Sequence, residues 1–480
     1  MTGFARSLLF LFVAGGIALT PRPLPAQEPV PAPVREPAAT NTTAPAAPVP
    51  ATVQVLNNGV RLIVLPDPTA DTVSVNVFFN IGRADERNHP GINALLCRTW
   101  GNASAFRTAP LLQNDIARVG SVGTEYSEDW VEIWGISDND SDAVRESFRT
   151  VLVNLVTNPL FTPEAVTQAR QEQERSLSLE QDDLLTSALE ILRRRAFGGS
   201  PYGISAAGVP ERLVGIRAET LDAYYRRLFR PNRCVVAVAG KVDPDRMRRL
   251  AEASFGAGDW NRGPTAPPVP DISVSRIPAG LRDLGAERQA ASTLFLTGWL
   301  APGLAQGGSE AVNRKRYATL LLLDAVLGGG KSARLFRSLR DMNPIGYDIR
   351  TTLQPGRGAS LWCVYVTGDR DRETCRAAVG AELAMLMSGQ RPVTEPELER
   401  ARTYCRIRRL RDAERVRDRA FYAGWCEVMG LGAAFATDFD RYLEAVTPED
   451  VNELARRLLT THPVTVFSQP ATEAVPSPMP

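Results

Sequence analysis

The feature that most limits what this chain can fold into is a pattern of elements that occurs twice. Each copy begins with an apolar alternating run typical of a half-buried strand, at residues 72–81 and 293–300. Two helical segments and two strand-like runs then follow in the same order, at residues 91–100, 111–118, 121–126 and 130–134 in the first copy and 310–327, 332–341, 347–353 and 360–367 in the second. The repeat predicts an α+β fold of two similar halves, each a β-sheet covered by helices on one face. Two unrelated domains are the alternative, because a pattern alone does not exclude them.

Local signals add detail to the first half. Asn57-Asn58-Gly59, between two β-rich runs, predicts a hairpin, and residues 234–240 predict a buried strand. Residues 140–157 and 163–197 carry helical periodicity, and the second segment predicts one long helix. Four prolines between residues 264 and 270 mark a linker. The chain is therefore divided into an N-terminal half, a linker, a C-terminal half and a disordered tail, at residues 51–262, 263–285, 286–472 and 473–480.

The first 50 residues are expected to lie outside the fold. Arg6 precedes an apolar run at residues 7–19, which is shorter than the roughly 20 residues that span a bilayer. We interpret residues 1–26 as a signal peptide cleaved after Ala26, and residues 27–50 as a Pro/Ala-rich tether. This predicts export to the periplasm of a Gram-negative bacterium. An uncleaved anchor or a wrongly assigned start is the alternative.

Charge argues against a nucleic-acid partner. Lys and Arg number 55 against 54 Asp and Glu, so the formal net charge is +1 and no basic footprint is evident. The basic run at residues 406–419 contains interleaved acids, which favours a solvated or intersubunit helix face. No later apolar run is long enough for a membrane span.

Histidine and cysteine usage restricts metal chemistry. His89 and His462 are the only histidines and are far apart, so no local two-histidine zinc motif exists. Six cysteines show no C-x-x-C spacing. Cys97, Cys234 and Cys363 lie among apolar residues and are expected to be buried thiols, while any disulfide pairing stays open.

Four stretches together resemble the pitrilysin/insulinase family of zinc peptidases, whose motif is an inverted H-x-x-E-H. In the first half they are residues 57–86, which begin NNGVRLIVLP, and residues 201–203 followed by 221–245, which end GKVDPD. In the second half they are residues 328–353, which begin GGGKSARLF, and 394–404, TEPELERARTY. The resemblance spans about residues 52–470 and implies two homologous insulinase-type halves that form a clamshell.

The resemblance also implies that the zinc site is missing here. In active members two histidines one helical turn apart bind Zn²⁺, and the glutamate between them acts as general base. Ala94 and Arg98 stand at the two histidine positions, and Cys97 stands at the glutamate position. The chain is therefore expected to bind no metal, to use no cofactor of its own and to lack peptidase activity by itself.

The third metal ligand of the family is a glutamate further downstream, and its position falls near Arg175–Ser176 in this sequence. Three carboxylates, Glu172, Glu174 and Glu180, are close by, so the register of this position stays open.

A substrate-contact pair is retained by similarity. Family members carry an Arg and a Tyr seven residues apart in the C-terminal half, and both bind the substrate backbone. Arg340 and Tyr347 match that spacing. A planar cationic donor and a phenol suit the carbonyl groups of an extended peptide. The alternative is an ordinary surface arginine followed by a strand tyrosine.

Together, these points predict the non-catalytic subunit of an exported zinc peptidase. The expected partners are a zinc-bearing paralogue with H-x-x-E-H and an extended peptide substrate, with no nucleic acid and no membrane span. The mitochondrial processing peptidase divides its labour between two subunits in this way. A structural scaffold, or a peptide-binding module that works by strand addition, is the competing interpretation.

Overall fold

The computed structural model describes residues 51–146, 148, 152–256, 259–272, 283–285, 293–306 and 308–468. The predicted signal peptide, tether and C-terminal tail lie outside these residues, as do residues 273–282 of the predicted linker. No helix in the described part of the chain is both long and apolar enough to cross a membrane.

The first half is built on a six-stranded sheet with the order β1-β2-β6-β3-β5-β4. Its strands are β1 (Thr52–Val55), β2 (Arg61–Pro66), β3 (Thr72–Phe79), β4 (Gly120–Tyr126), β5 (Val131–Asp138) and β6 (Cys234–Gly240). The predicted hairpin joins β1 to β2, where Gly59 adopts φ 93°, a left-handed conformation that favours glycine. The predicted buried strand is β6, which pairs parallel with β2 and antiparallel with β3.

Helices of the first half pack on this sheet and around its edges. They are α1 (Arg83–Glu86), α2 (Ile92–Thr99), α3 (Ala109–Val119), α4 (Ser141–Glu146), α5 (Val153–Thr157), α6 (Pro163–Asp182), α7 (Leu184–Phe197), α8 (Pro210–Leu213), α9 (Ala218–Leu228), α10 (Pro244–Phe255) and α11 (Asp259–Arg262). The prediction of one long helix over residues 163–197 was wrong. Asp183 leaves the helical conformation, and its carboxylate accepts a hydrogen bond from the Thr186 N–H at 2.7 Å, so a new helix begins there.

The second half is built on a five-stranded sheet with the order β7-β11-β8-β10-β9. The strands are β7 (Asp283–Gly285), β8 (Thr293–Pro302), β9 (Asp348–Gln354), β10 (Ala359–Gly368) and β11 (Val464–Ser468). The helices are α12 (Glu310–Gly328), α13 (Arg334–Phe336), α14 (Arg372–Met387), α15 (Glu395–Asp412), α16 (Val416–Val428), α17 (Ala434–Thr437), α18 (Phe439–Glu444) and α19 (Pro448–Leu459). The α+β halves predicted from the repeat are thus confirmed, although the helix expected at residues 332–341 is the short α13 followed by a π-helical segment, Arg337–Met342.

In each half, one helix packs on the sheet of the other half. Helix α16 packs on β3 and β6 of the first sheet, and α7 packs on β8 and β11 of the second. Glycines allow the close approach in both places. A Cβ on Gly424 would lie 2.4 Å from the Phe78 ring, and a Cβ on Gly298 would lie 2.9 Å from Leu192. Because of this exchange the two halves share their cores, and neither sheet is covered by its own helices alone.

Aromatic side chains from both halves meet under α16. The ring centroids of Phe78 and Trp130 in the first half lie 5.6 and 5.5 Å from that of Phe421 in the second. Such spacing is typical of edge-to-face aromatic packing. The contact between the halves is therefore a continuous apolar core, which makes them one packed unit.

Corresponding elements of the two halves enclose corresponding spaces. In the first half, α2 packs against the edge strand β4 and against α6. In the second half, α12 packs in the same way against the edge strand β9 and against α15. We call the space between α2, β4 and α6 the first junction, and the space between α12, β9 and α15 the second junction.

Candidate functional site

Helix α2, which carries the expected metal positions, is held at its start by a buried carboxylate. Glu86 accepts hydrogen bonds from the N–H groups of Gly91, at 2.9 Å, and Asn93, at 3.2 Å. These are two of the amide groups that a helix start leaves unpaired. Asn93 in turn accepts a hydrogen bond from the Tyr224 hydroxyl at 2.9 Å. The orientation of α2 against β4 and α6 is therefore fixed by buried polar contacts.

Two of the three family positions on α2, one metal position and the general-base position, carry no usable group. Ala94 is fully buried and has no donor atom. Cys97 is also buried, and its Sγ lies 3.4 Å from the carbonyl oxygen of Glu125. Burial, and secondly the Glu125 carboxylate, raises the pKa of the Cys97 thiol well above its usual range. Cys97 is thus a protonated thiol in this environment, which makes it a poor nucleophile.

The third position on α2, Arg98, bridges to α6. Its Nη2 donates a hydrogen bond to the Ser176 hydroxyl at 3.2 Å. Burial raises the pKa of Glu180, one turn further along α6, and the Arg98 cation partly offsets that rise. Ser176 thus faces α2 whereas Arg175 is exposed, and the register of the downstream ligand position stays a prediction.

The residues of the first junction do not fit a zinc ion. Zinc sites in proteins use thiolate, imidazole and carboxylate ligands. The family positions in the first junction hold instead an alanine, a protonated thiol and a guanidinium, and the last is a permanent cation. The nearby carboxylates of Glu125 and Glu180 both face cations, Arg417 and Arg98. The part of the chain that the structure describes also holds no group of three or more His, Cys, Asp or Glu side chains arranged to bind a metal. His89 precedes α2 rather than lying on it, and His462 is exposed near β11.

A buried ionic contact between the halves lies beside the first junction. Arg417, on α16, donates to Glu125 at 2.6 Å and to Glu132 at 3.4 Å. Its guanidinium stacks over the Trp134 ring, with the centroid 4.7 Å away. Glu132 is fully buried, also accepts a hydrogen bond from Asn76 at 2.5 Å, and has its pKa raised by burial.

No pattern in the sequence indicated this contact. The run at residues 406–419 was predicted as a solvated or intersubunit face, which is wrong for Arg417, whose side chain is 11% exposed. The run spans the end of α15 and the start of α16, and α16 crosses to the first sheet.

The Tyr202 of the Pro201-Tyr202-Gly203 motif also joins the halves. Its hydroxyl donates to one carboxylate oxygen of Asp129 at 2.5 Å and accepts from the Gly358 N–H at 3.2 Å. The other oxygen of Asp129 accepts from the Arg357 N–H at 2.9 Å. Burial raises the pKa of Asp129 to about 6, against hydrogen bonds that lower it. The motif therefore acts at the contact between the halves.

The structure brings Arg340 and Tyr347 together. Arg340 lies in the π-helical segment, and its Nη1 donates a hydrogen bond to the main-chain carbonyl of Tyr347. The guanidinium also stacks over the Phe336 ring, with the centroid 5.2 Å away. The Tyr347 side chain is 67% exposed, and its N–H donates to Thr367 at 2.7 Å, just before β9 begins. A peptide-contact role for the pair stays a prediction.

All six cysteines lie within the described residues, and all are buried free thiols. The prediction for Cys97, Cys234 and Cys363 is confirmed.

Comparison with known proteins shows similarity to peptidases of the M16 family. A protein-family model described as "Peptidase M16 inactive domain" matches residues 215–405. The chain is 26% identical over 417 residues to an uncharacterized zinc protease of Mycobacterium leprae, covering 84% of this chain and 88% of the relative. It is 22% identical over 408 residues to another from Bacillus subtilis, covering 84% and 94%.

Solved structures share the fold. A protease from Helicobacter pylori superposes with a TM-score of 0.76 at 16% identity, covering 88% of this chain and 100% of that one. A peptidase M16 inactive domain from Pseudomonas fluorescens gives the same TM-score and identity, covering 88% and 98%.

Proposed function

Because this chain belongs to the M16 (pitrilysin/insulinase) peptidase family as a non-catalytic member, we propose that it is one subunit of an exported two-subunit zinc peptidase. A paralogous partner with H-x-x-E-H binds the zinc and performs the hydrolysis. This chain closes the peptidase chamber and contacts the extended peptide substrate. It supplies no metal ligand and no general base.

The observation that carries the proposal is the position of Arg98. A guanidinium hydrogen-bonded to Ser176 lies where the family places its metal. A cation fixed at this place repels Zn²⁺, and the neighbouring Ala94 and Cys97 offer no ligand in its stead. A chain that keeps the M16 fold around such a centre has a use for M16 chemistry only if a partner brings the metal.

Two features support contact with a peptide. Arg340 and Tyr347 lie side by side, and the Tyr347 phenol is accessible to a substrate carbonyl. Strand β4 is at the edge of its sheet and forms one wall of the first junction. An edge strand offers unpaired N–H and C=O groups to which an extended peptide can add.

Export is the remaining part of the proposal. It rests on the basic and apolar composition of residues 1–19 and on the small residue Ala26. Amino-terminal sequencing of the chain recovered from the periplasm of a Gram-negative host should begin at Gln27. A chain that retains its first 26 residues and stays in the cytoplasm would contradict this part.

The complex can be tested by co-expression with an M16 paralogue that carries H-x-x-E-H. We expect a stable complex of about one copy of each chain and a peptidase activity well above that of the paralogue alone, because the second chain completes the binding surface. A paralogue that is fully active alone, and gains nothing from this chain, would favour the scaffold instead.

The Arg340/Tyr347 contact can be tested in the same complex. Tyr347→Phe removes one hydroxyl, so kcat/KM should fall roughly 5- to 150-fold while assembly and Tm are unchanged. Arg340→Lys should also lower it, because an ammonium cannot reproduce a planar two-pronged donor. The control is Arg337→Lys, an exposed arginine of the same π-helical segment. Equal kcat/KM values for all three variants would contradict a contact between this pair and the peptide substrate.

A further inference from the structure

The second junction is open where the first is filled. A cavity of about 280 Å³ lies between α12, β9 and α15 and extends to α7, α16 and the α17–α18 region. In the first junction the corresponding space between α2, β4 and α6 is bridged by the Arg98 side chain. Neither Arg340 nor Tyr347 lines the cavity, so it is separate from the peptide-contact pair.

Most of the cavity wall is apolar. Aromatic rings form one side, and α7 adds two leucines from the other half. The aromatic residues that face the cavity include Tyr317, Phe421, Tyr422, Trp425 and Phe435. Large apolar pockets with few polar groups are the usual form of small-molecule sites.

One cation of the wall has unused hydrogen-bonding capacity. Arg409 stacks on the Tyr422 ring, with the centroid 3.7 Å away, and its Nη2 donates to the Ala436 carbonyl at 3.3 Å. Its Nη1 is buried and has no hydrogen-bond partner among the described residues. Because Nη1 lies beneath the cavity surface, a ligand in the cavity can reach Arg409 only through the other N–H groups of its guanidinium.

The other charged groups of the wall are paired. Arg408 and Arg411 both contact the Asp412 carboxylate, at 3.7 and 3.1 Å. Arg350 pairs with Asp348 at 2.7 Å. The remaining acid of the wall, Asp324, accepts a hydrogen bond from the Trp362 indole at 3.0 Å, and burial raises its pKa. With Asp348 counted, four arginines stand against three acids, which leaves the cavity with one surplus positive charge.

We propose that this cavity binds an amphipathic carboxylate, whose apolar body lies against Tyr422 and Trp425 and whose carboxylate accepts a hydrogen bond from Arg409. The volume equals that of about nine water molecules, which suits an apolar body of roughly six to ten carbon atoms. Two sources share this chemistry: a free medium-chain acid, and the carboxyl end of a peptide whose last residue is apolar. The site is independent of a zinc-bearing partner.

Isothermal titration of the full chain with sodium octanoate tests the site directly. We expect saturable binding of about one octanoate per chain, and binding of octan-1-ol at least ~10-fold weaker, because the alcohol lacks the charge that Arg409 pairs with. No saturable octanoate binding, together with no binding of the peptides below, would overturn the proposal. Equal binding of octanoate and octanol would overturn the role of Arg409.

Variants separate this site from nonspecific binding. Arg409→Met keeps the apolar stem and should weaken octanoate binding ~10- to 100-fold. Arg400→Met, an exposed change on the same helix, should leave binding unchanged. Ala436→Phe keeps Arg409 but fills the cavity, and should also abolish binding. Thermal melting checks that each variant folds. If folded Arg409→Met and folded Ala436→Phe both bind octanoate as tightly as the wild type does, the proposal is overturned.

Short peptides that end in Leu-Phe, with a free or an amidated carboxyl end, distinguish the two sources of the ligand. Binding of the free-carboxyl peptide in competition with octanoate, and no binding of its amidated form, would identify a peptide carboxyl end. Binding of octanoate alone would identify a free acid. Equal binding of both peptide forms, unaffected by octanoate, would contradict recognition of a carboxylate in this cavity.

Discussion

The first and second junctions are built by corresponding elements in corresponding order, yet their interiors differ. In the first, Arg98 reaches from α2 to Ser176 on α6 and bridges the space between these helices. In the second, α12 and α15 leave a cavity lined by aromatic rings. The comparison teaches that the duplicated framework determines where a site can form, while a few side chains determine whether it is filled.

The exchanged helices increase the difference between the junctions. Helix α16 brings a cation, Arg417, to the carboxylates of Glu125 and Glu132 beside the first junction. Helix α7 brings Leu185 and Leu189 to the wall of the second. Each junction is thus completed by the opposite half, with charge on one side and apolar surface on the other.

The largest effect on stability is expected from removing the charge that α16 supplies. Arg417→Met leaves the Glu125 and Glu132 carboxylates without their cation, and Glu132 is fully buried. Breaking a buried ion pair from one side costs about 3 kcal/mol of unfolding free energy. Chemical denaturation above pH 8 should show this loss in full. The loss should shrink below that pH, because burial raises the pKa of Glu132 to about 8 and a protonated Glu132 leaves no buried charge.

Arg419→Met is the matched control for that change. Arg419 lies on the same helix and also bridges the halves, through Asp67 at 2.7 Å, but the pair is partly exposed at 34% and 25%. Its loss should cost less than about 1 kcal/mol. Equal destabilisation by the two variants would mean that burial at the first junction is not what gives Arg417 its importance.

A smaller effect is expected from emptying the first junction. Arg98→Met keeps the stem but removes the hydrogen bond to Ser176, so the unfolding free energy should fall by about 1–2 kcal/mol. Arg175→Met, at the exposed neighbour of Ser176, should change it by less than about 0.5 kcal/mol. If Arg98→Met lowers the unfolding free energy no more than Arg175→Met does, Arg98 does not link α2 to α6.

A further effect is a pH dependence of the unfolding free energy at the contact between the halves. Burial raises the pKa of Asp129 in the folded chain from 3.8 to about 6, so the folded state binds more protons than the unfolded state between these values. The stability from this group is therefore fully present below pH 3.8 and is lost as pH rises through about 6. The expected slope is at most about −1.4 kcal/mol per pH unit.

Denaturation of Asp129→Asn across the same pH range checks this. The slope due to Asp129 should disappear, although the variant is less stable throughout because an amide offers only one acceptor to Tyr202 and Arg357. The exposed change Asp341→Asn should leave the slope intact. An undiminished slope in Asp129→Asn would assign the pH dependence to other groups.

Local patterns were sufficient to predict much of the fold. Alternation predicted β3 and β8, the Asn-Asn-Gly turn predicted the first hairpin, and similarity placed Ala94, Cys97 and Arg98 on one helix. Hydrophobic periodicity follows from burial along one segment, so it identifies elements well. It also identified the buried thiols, because each lies within an apolar run.

The exchange of helices and the contacts that depend on it could not be predicted. Periodicity shows that α7 and α16 each have a buried face, but it does not say which sheet covers that face. The contact of Arg417 with Glu132 joins residues 285 positions apart, and nothing near either residue marks the other. The cavity depends in the same way on α7 and α16 together. The break between α6 and α7 at Asp183 could have been predicted, because aspartate is a common residue at the start of a helix.

The central claim is that the first junction has lost its metal, and zinc analysis of the purified chain tests it most directly. The full chain is purified in the presence of Zn²⁺, freed of loosely bound metal, and measured for zinc content and for peptide cleavage in the same preparation. We expect far less than one zinc ion per chain and no cleavage, because Ala94 and Arg98 stand at the two ligand positions on α2 and the protonated Cys97 stands at the general-base position. About one tightly bound zinc ion per chain, with peptidase activity that a chelator removes, would contradict it.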